Sequence, residues 1–273
     1  RFEWQTLEED GFRAHWVTGD REFGQGVINI ARASAAQIGD IVPQPSLGVL
    51  DIYVYNDLET MRLALRPESE EWVAGHANPQ LGVILLALPV SPERSLLAEQ
   101  RIPHELMHVL LYQTYPRGYD RLPRWLTEGL ASLVERRANP DYRILLDQAA
   151  SERKLIRMET ICETFPNETA SSLLAYAQSQ SFVEYLFGAY GSSGLQNLIA
   201  AYASGMDCQN GARQGLGKSL TRLEADWQRE KLVQNNSLAA VRDMLPWLIL
   251  LLAVLAAPLV VILQSHPRRK EKP

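Results

Sequence analysis

The spacing of hydrophobic and polar residues changes along this chain near residue 95. Before that point, apolar and polar positions alternate at 12–17, and β-branched and aromatic residues fill 48–55 and 82–88, which predicts three strands. The stretches between them, 21–42 and 56–65, repeat their apolar residues at helical spacing. The first part of the chain is therefore predicted to be a small α/β unit.

After residue 96 the strand signals disappear and helical patterns follow one another. We predict helices at 100–114, 123–137, 140–150, 171–189, 192–204 and 219–233. The predicted fold class is α+β, with a small N-terminal α/β subdomain over 1–95 and a mainly helical subdomain over 96–232. With 46% apolar residues among 273, the chain can bury a sizeable core in one or two such domains.

The stretch 244–264, MLPWLILLLAVLAAPLVVILQ, differs from the rest because its 21 residues include no charge. As a helix it would rise about 30 Å, which matches the hydrocarbon thickness of a bilayer. A buried core helix is the alternative, but core helices of this length usually keep a polar stripe. We expect one transmembrane helix, joined to the helical subdomain by a juxtamembrane linker at 233–243.

The tail at 265–273 indicates how such a helix would be oriented. It carries four basic residues and one acid, whereas Arg242 and Asp243 on the other side cancel. Basic flanks stay in the cytoplasm, so we expect a cytoplasmic C-terminus and an extracytoplasmic domain before residue 244. The chain's net charge of −5, less the tail's +3, leaves −8 for the rest, which argues against nucleic acid as a partner.

The chain has two cysteines, Cys162 and Cys208. They are too few for a disulfide scaffold, but they suffice for one bridge in an oxidising compartment, and a pair of buried thiols is the alternative. Because the chain opens at Arg1, we expect any export signal to have been removed or to lie upstream.

The segment RIPHELMHVL contains the strongest chemical signal. His104 and His108 stand four positions apart, which places both imidazoles on one helix face, as two ligands of one zinc ion require. Glu105 adjoins that face and can act as a general base on water without ligating the metal. Pro103 lacks an N–H donor, so we expect it in the first turn of this helix, with the helix starting near 100–102.

A third ligand is available in LPRWLTEGLASLVER. Glu128 follows far enough behind His108 for the first helix to end and a second to return past the metal. Two histidines and one carboxylate with an open fourth position are typical of catalytic zinc. Glu135, two turns after Glu128, is expected to hydrogen-bond a ligating histidine, unless it is a solvated charge beside Arg136.

The motifs HELMH at 104–108 and WLTEGLA at 125–131 resemble those of the gluzincin zinc peptidases, especially the peptidase MA-like membrane proteins of bacteria. The resemblance covers roughly 12–230. It implies that His104, His108 and Glu128 bind one Zn²⁺ ion per chain and that Glu105 is the catalytic base.

The same resemblance implies a tyrosine on a later helix that hydrogen-bonds the reaction intermediate. Tyr176, in AYAQSQSFVEYL, is the candidate, although a lone tyrosine on a helix can also serve packing. The related aminopeptidases grip the substrate's amino group with a glutamate before the zinc helix, whereas AGHANPQLG at 74–82 contains no acid. This difference favours an endopeptidase, with the strand 82–88 offering its edge to an extended peptide. His76 is interpreted as a cleft or loop residue.

The sequence thus predicts a membrane-anchored, outward-facing zinc peptidase. Glu105 would deprotonate a zinc-polarised water that attacks a peptide carbonyl, and zinc and Tyr176 would stabilise the resulting oxyanion. The alternative is a binding or scaffolding ectodomain that keeps the peptidase fold without turnover. The presence of Glu105 argues against that alternative, because a structural zinc needs no base.

Overall fold

The computed structural model describes residues 2–43, 48–65, 75–137, 139–233, 244–252 and 254–256. The chain forms two compact units, Arg1–Trp227 and Gln228–Pro273. The first unit contains both the sheet and the helices that follow it, and it has the mixed α+β class predicted from the sequence.

A five-stranded sheet lies at the start of the first unit, within the described residues. Its strands are β1 (Gln5–Glu9), β2 (Phe12–Trp16), β3 (Leu50–Tyr55), β4 (Gly75–Asn78) and β5 (Val83–Ala87), in the order β1-β2-β3-β5-β4. The three predicted strands form its parallel centre, β2-β3-β5. The two antiparallel outer strands, β1 and β4, were not predicted.

The strand at 82–88, which was expected to offer its backbone edge to a substrate, is not at the edge of the sheet. That prediction is wrong, because β5 pairs with β3 on one side and with β4 on the other. Among the described strands, β4 is the last one on this side of the sheet.

One face of the sheet packs on helices α1 (Arg21–Gly39) and α3 (Arg94–Thr114). The alternation along β3 places Leu50, Ile52 and Val54 in the core, where they are at most 1% exposed. Their burial follows from the period of two in strands and the apolar stripe of the helices. The short helix α2 (Leu58–Arg62) packs near β3 and β5.

The helical part of the unit contains α4 (Arg124–Leu133), α5 (Pro140–Ser151), α6 (Thr169–Ala203), α7 (Cys208–Leu216) and α8 (Leu220–Trp227). Gly191, with φ of 65°, interrupts α6 where the sequence predicts a break between two helices. Helix α7 was not predicted. The core of the helical part is aromatic: Phe182 contacts Trp125 and Trp227, with ring centroids 5.1 and 5.6 Å apart.

The predicted start of the metal-binding helix is wrong. Helix α3 begins at Arg94, so Pro103 lies in its interior rather than in its first turn. A proline there removes the bond to the carbonyl four residues earlier, that of Glu99. The Glu99 carbonyl instead accepts a hydrogen bond from the Arg136 N–H at 3.4 Å, so a contact from outside the helix replaces the missing one.

The second unit contains a π-helix, Gln228–Val233, and helical residues at 244–252 and 254–256 with exposed apolar side chains. Within the described residues, no helix has both the length and the apolarity needed to cross a membrane. Most of the predicted linker at 233–243, part of the predicted span at 244–264 and the whole tail at 265–273 lie outside the described residues.

Helix α4 approaches α6 closely at Gly129, and this contact generates a stability prediction. A methyl group at Gly129 would collide with Val183 and with the carbonyl of Ser179, both on α6. We expect Gly129→Ala to destabilise the protein by about 1–3 kcal/mol, as overpacked cores do, measured by chemical denaturation.

The matched control is Gly26→Ala on α1, where an added methyl group meets no atom within 4 Å. Because alanine is the better helix former, this variant should keep or gain up to about 1 kcal/mol of stability. Equal stability of the two variants would contradict the close approach of α4 and α6.

Candidate metal centre

Three predicted ligands meet between α3 and α4. His104 and His108 lie one turn apart on α3, with ring centroids 5.1 Å apart. Glu128 on α4 directs one carboxylate oxygen to within 3.5 Å of His104 Nε2 and 3.7 Å of His108 Nε2. One donor atom from each residue lies within 4.8 Å of the others, so the three side chains can hold one ion.

The charges at this centre are strongly coupled. Burial alone would lower the pKa of His104, but its hydrogen bonds to Glu128 and Glu135 outweigh burial and hold the pKa well above its usual value. Burial alone would raise the pKa of Glu128, but the His108 charge and the hydrogen bonds from both histidines hold it well below its usual value. The centre therefore favours a positive charge, which a proton or a metal ion can provide.

The donor set fits Zn²⁺ in particular. Two imidazole nitrogens and one carboxylate oxygen form the ligand set of catalytic zinc, in which a fourth position is left to water or substrate. Glu128 is 4% exposed, and its second oxygen forms an ion pair with Arg124 Nε at 3.0 Å. The contacts with His104, His108 and Arg124 therefore hold the Glu128 carboxylate in a fixed orientation without a bound metal ion.

Glu135 lies beside the first histidine. Its Oε1 is 2.8 Å from His104 Nδ1, and its Oε2 accepts from Gln100 Nε2 at 3.3 Å. The carboxylate side chain is 7% exposed, which differs from a solvated charge. A partner on Nδ1 leaves Nε2 of His104 to face Glu128 and a metal.

Tyr119 performs the corresponding task for the second histidine, and the sequence did not reveal it. Its hydroxyl lies 3.2 Å from His108 Nδ1. Burial, and then the charge of Glu128, raises the pKa of this phenol, so it stays neutral. Tyr119 begins a 3₁₀ turn, Tyr119–Arg121, in the irregular connection between α3 and α4, where no helical or strand period marks it.

The centre opens into a cleft of about 580 Å³. Its lining includes Gly75, His76, Glu105, Tyr119, Arg124 and Tyr176. The predicted base therefore faces the same space as the three candidate ligands and the candidate tyrosine. The ring of Tyr176 contacts Phe165 edge-on, with centroids 5.0 Å apart.

Strand β4 forms one wall of the cleft and lies against the predicted base. A Cβ atom at Gly75 would collide with the Glu105 carboxylate, so a larger residue there would displace that carboxylate from its present position. His76, the next residue of β4, also lines the cleft. Strand and helix thus confine Glu105, which is 8% exposed, to the edge of the metal site.

The two cysteines are paired as a disulfide, with Cα atoms 6.4 Å apart. The bond joins the end of a 3₁₀ turn, Met158–Ile161, to the start of α7. The carbonyl of Cys162 accepts a hydrogen bond from the Arg124 N–H at 2.6 Å, at the first residue of α4. The bridge therefore fixes a segment that supports the helix of Glu128.

Fold and site define a peptidase-like protein, and comparison with known proteins agrees. The family described as the Peptidase MA superfamily matches residues 25–234, which is most of the chain and includes the whole candidate centre. The chain belongs to this superfamily. No curated protein matches the sequence.

The contact between Tyr119 and His108 predicts a change in metal affinity. We expect Tyr119→Phe to weaken zinc binding about tenfold, because His108 loses the partner that fixes its ring. Competition with a zinc chelator measures the change. Tyr112→Phe is the control, since the Tyr112 ring contacts Tyr119 edge-on, with centroids 5.7 Å apart, and its hydroxyl is not the one that lies beside His108. Equal affinities for both variants would contradict this role of Tyr119.

Proposed function

We propose that this chain is a zinc-dependent peptidase whose metal is held by His104, His108 and Glu128. The observation that carries the proposal is the convergence of these three side chains beside the buried Glu105 at the floor of one cleft. Membership of the Peptidase MA superfamily supports hydrolysis of peptide bonds.

The residues of the chain divide the chemistry among them. Zinc held by His104, His108 and Glu128 would supply Lewis-acid activation of a water molecule and of the substrate carbonyl. Glu105 accepts the proton of the attacking water and passes it to the nitrogen of the leaving amine as the C–N bond breaks. The Tyr176 hydroxyl donates a hydrogen bond to the carbonyl oxygen as that oxygen becomes negative. Glu135 and Tyr119 keep the two imidazoles in orientation.

The substrate is proposed to be an extended peptide that pairs with β4. Among the described strands β4 ends the sheet on this side, and its residues Gly75–Asn78 include three that line the cleft or contact the base. Backbone pairing with such an edge binds peptides with little regard to sequence. Since β4 carries no carboxylate to bind an α-amino group, we propose an endopeptidase.

The setting is proposed to be a membrane, with the bilayer contacted by 244–264. The uncharged run and the basic tail at 265–273 support a single span with a cytoplasmic C-terminus and an extracytoplasmic catalytic domain. The pairing of Cys162 with Cys208 fits the same topology, because disulfides persist in oxidising compartments.

The decisive test separates the enzyme from a silent scaffold. We expect the purified 273-residue chain to contain about one zinc ion, and His108→Ala to lose most of it. Glu105→Gln should keep zinc but cleave peptides about 10²- to 10⁴-fold more slowly, because it lacks the base. Elemental analysis, thermal melting and digestion of a peptide library measure these outcomes.

Glu22→Gln, an exposed glutamate on α1, is the control and should retain both zinc and activity. A wild-type chain without zinc after supplementation would refute the proposal. Bound zinc with no cleavage by any variant would instead favour the scaffold.

Topology is tested on intact cells. We expect an added protease to digest the domain before residue 244 without permeabilisation, because that domain is proposed to face outward. An antibody against an epitope tag fused to Pro273 should detect the protected tail. Digestion only after permeabilisation would reverse the assignment.

A further inference from the structure

Helix α3 has a proline at an unusual place. Pro103 lies directly before the first candidate ligand, His104, and well inside the helix. Such a proline deprives the carbonyl of residue 99 of its normal partner and costs helix stability. A residue with high helix propensity, such as alanine, would leave the hydrogen-bond pattern of the helix uninterrupted at this position.

The carbonyl that Pro103 leaves unpaired has a specific partner elsewhere. The Glu99 carbonyl accepts a hydrogen bond from the N–H of Arg136, just beyond the end of α4. The Glu99 side chain adds a second connection, since its Oε2 accepts from Arg137 Nε at 3.2 Å. The segment after α4 is thus anchored to α3 at the turn that the proline opens.

Glu135 is the residue next to this anchor. Its carboxylate reaches from there to Gln100 Nε2 and to His104 Nδ1. The backbone of the segment and the side chain of Glu135 therefore contact consecutive positions of α3, residues 99 and 100, and then the candidate ligand.

We propose that Pro103 is a positioning residue. Because it donates no hydrogen bond to the Glu99 carbonyl, the Arg136 N–H can bond that carbonyl, and this contact places the Glu135 carboxylate next to His104 Nδ1. With alanine at 103, the new N–H would bond the Glu99 carbonyl within the helix, as every interior α-helical residue does. The Arg136 N–H, at 3.4 Å from that oxygen, would have to compete with the new donor, and the backbone contact that holds the Glu135 segment to α3 would weaken. This inference rests on the proposed zinc centre.

The test compares four variants of the full chain: Pro103→Ala, Glu135→Ala, the double variant, and Pro140→Ala. Pro140 is the first residue of α5, where proline removes no helical bond, so its variant is the control. Chelator competition measures zinc affinity, hydrogen exchange followed by mass spectrometry measures protection of the peptide around Arg136, and thermal melting is recorded without metal.

We expect Pro103→Ala to weaken zinc binding about 10- to 100-fold, as the loss of a partner to a ligating histidine does. The Arg136 peptide should exchange faster, while the metal-free melting temperature stays equal or rises. The double variant should bind zinc no more weakly than Glu135→Ala, because both changes act through one contact.

Wild-type affinity and wild-type exchange in Pro103→Ala would overturn the inference. So would additive losses in the double variant, since they would mean that Pro103 acts independently of Glu135. A wild-type chain that binds no zinc would refute the proposed function instead, and the exchange of the Arg136 peptide would still decide whether Pro103 anchors this segment.

Discussion

The buried carboxylate of Glu128 is the constraint on which the rest of the site depends. An ionised group removed from water is costly unless opposite charges and donors surround it, and removing the partners of such a group typically costs about 3–5 kcal/mol. Here α3 supplies two imidazoles and α4 supplies Arg124. The packing of α3 against α4 is therefore tied to the same contacts that prepare the centre for a cation.

The parts of the site that repeat along a helix could be predicted from the sequence. The four-residue spacing of His104 and His108 needs only the geometry of one helix, and Glu128 needs only a returning helix of sufficient length. Tyr119 and the start of α3 escaped prediction for a common reason. Tyr119 lies in an irregular turn, and Pro103 is tolerated inside α3 because Arg136 compensates from far along the chain.

The sheet shows the same division. Its central strands show apolar alternation or apolar runs, whereas β4 reads Gly-His-Ala-Asn and has no strand pattern. Strand β1 is followed by Asp10 and Gly11, both with positive φ, and an Asp-Gly pair is a local hairpin signal that fits the antiparallel pairing of β1 with β2. Tertiary pairing rather than local propensity therefore creates β4, whereas β1 has a local turn signal.

Under the proposed function, the position of β4 also bears on which proteins the cleft would admit. An unpaired sheet edge is normally a hazard, because it invites edge-to-edge aggregation between copies, and short edge strands limit that hazard. At four residues, β4 is short, and three of its residues line the cleft together with Tyr119 and Arg124. Neighbouring strands lie about 4.8 Å apart, so pairing with β4 requires a single extended chain with free backbone groups, which a tightly folded domain does not present. Selection against native, tightly folded proteins would then be a property of shape, without any side chain that recognises them.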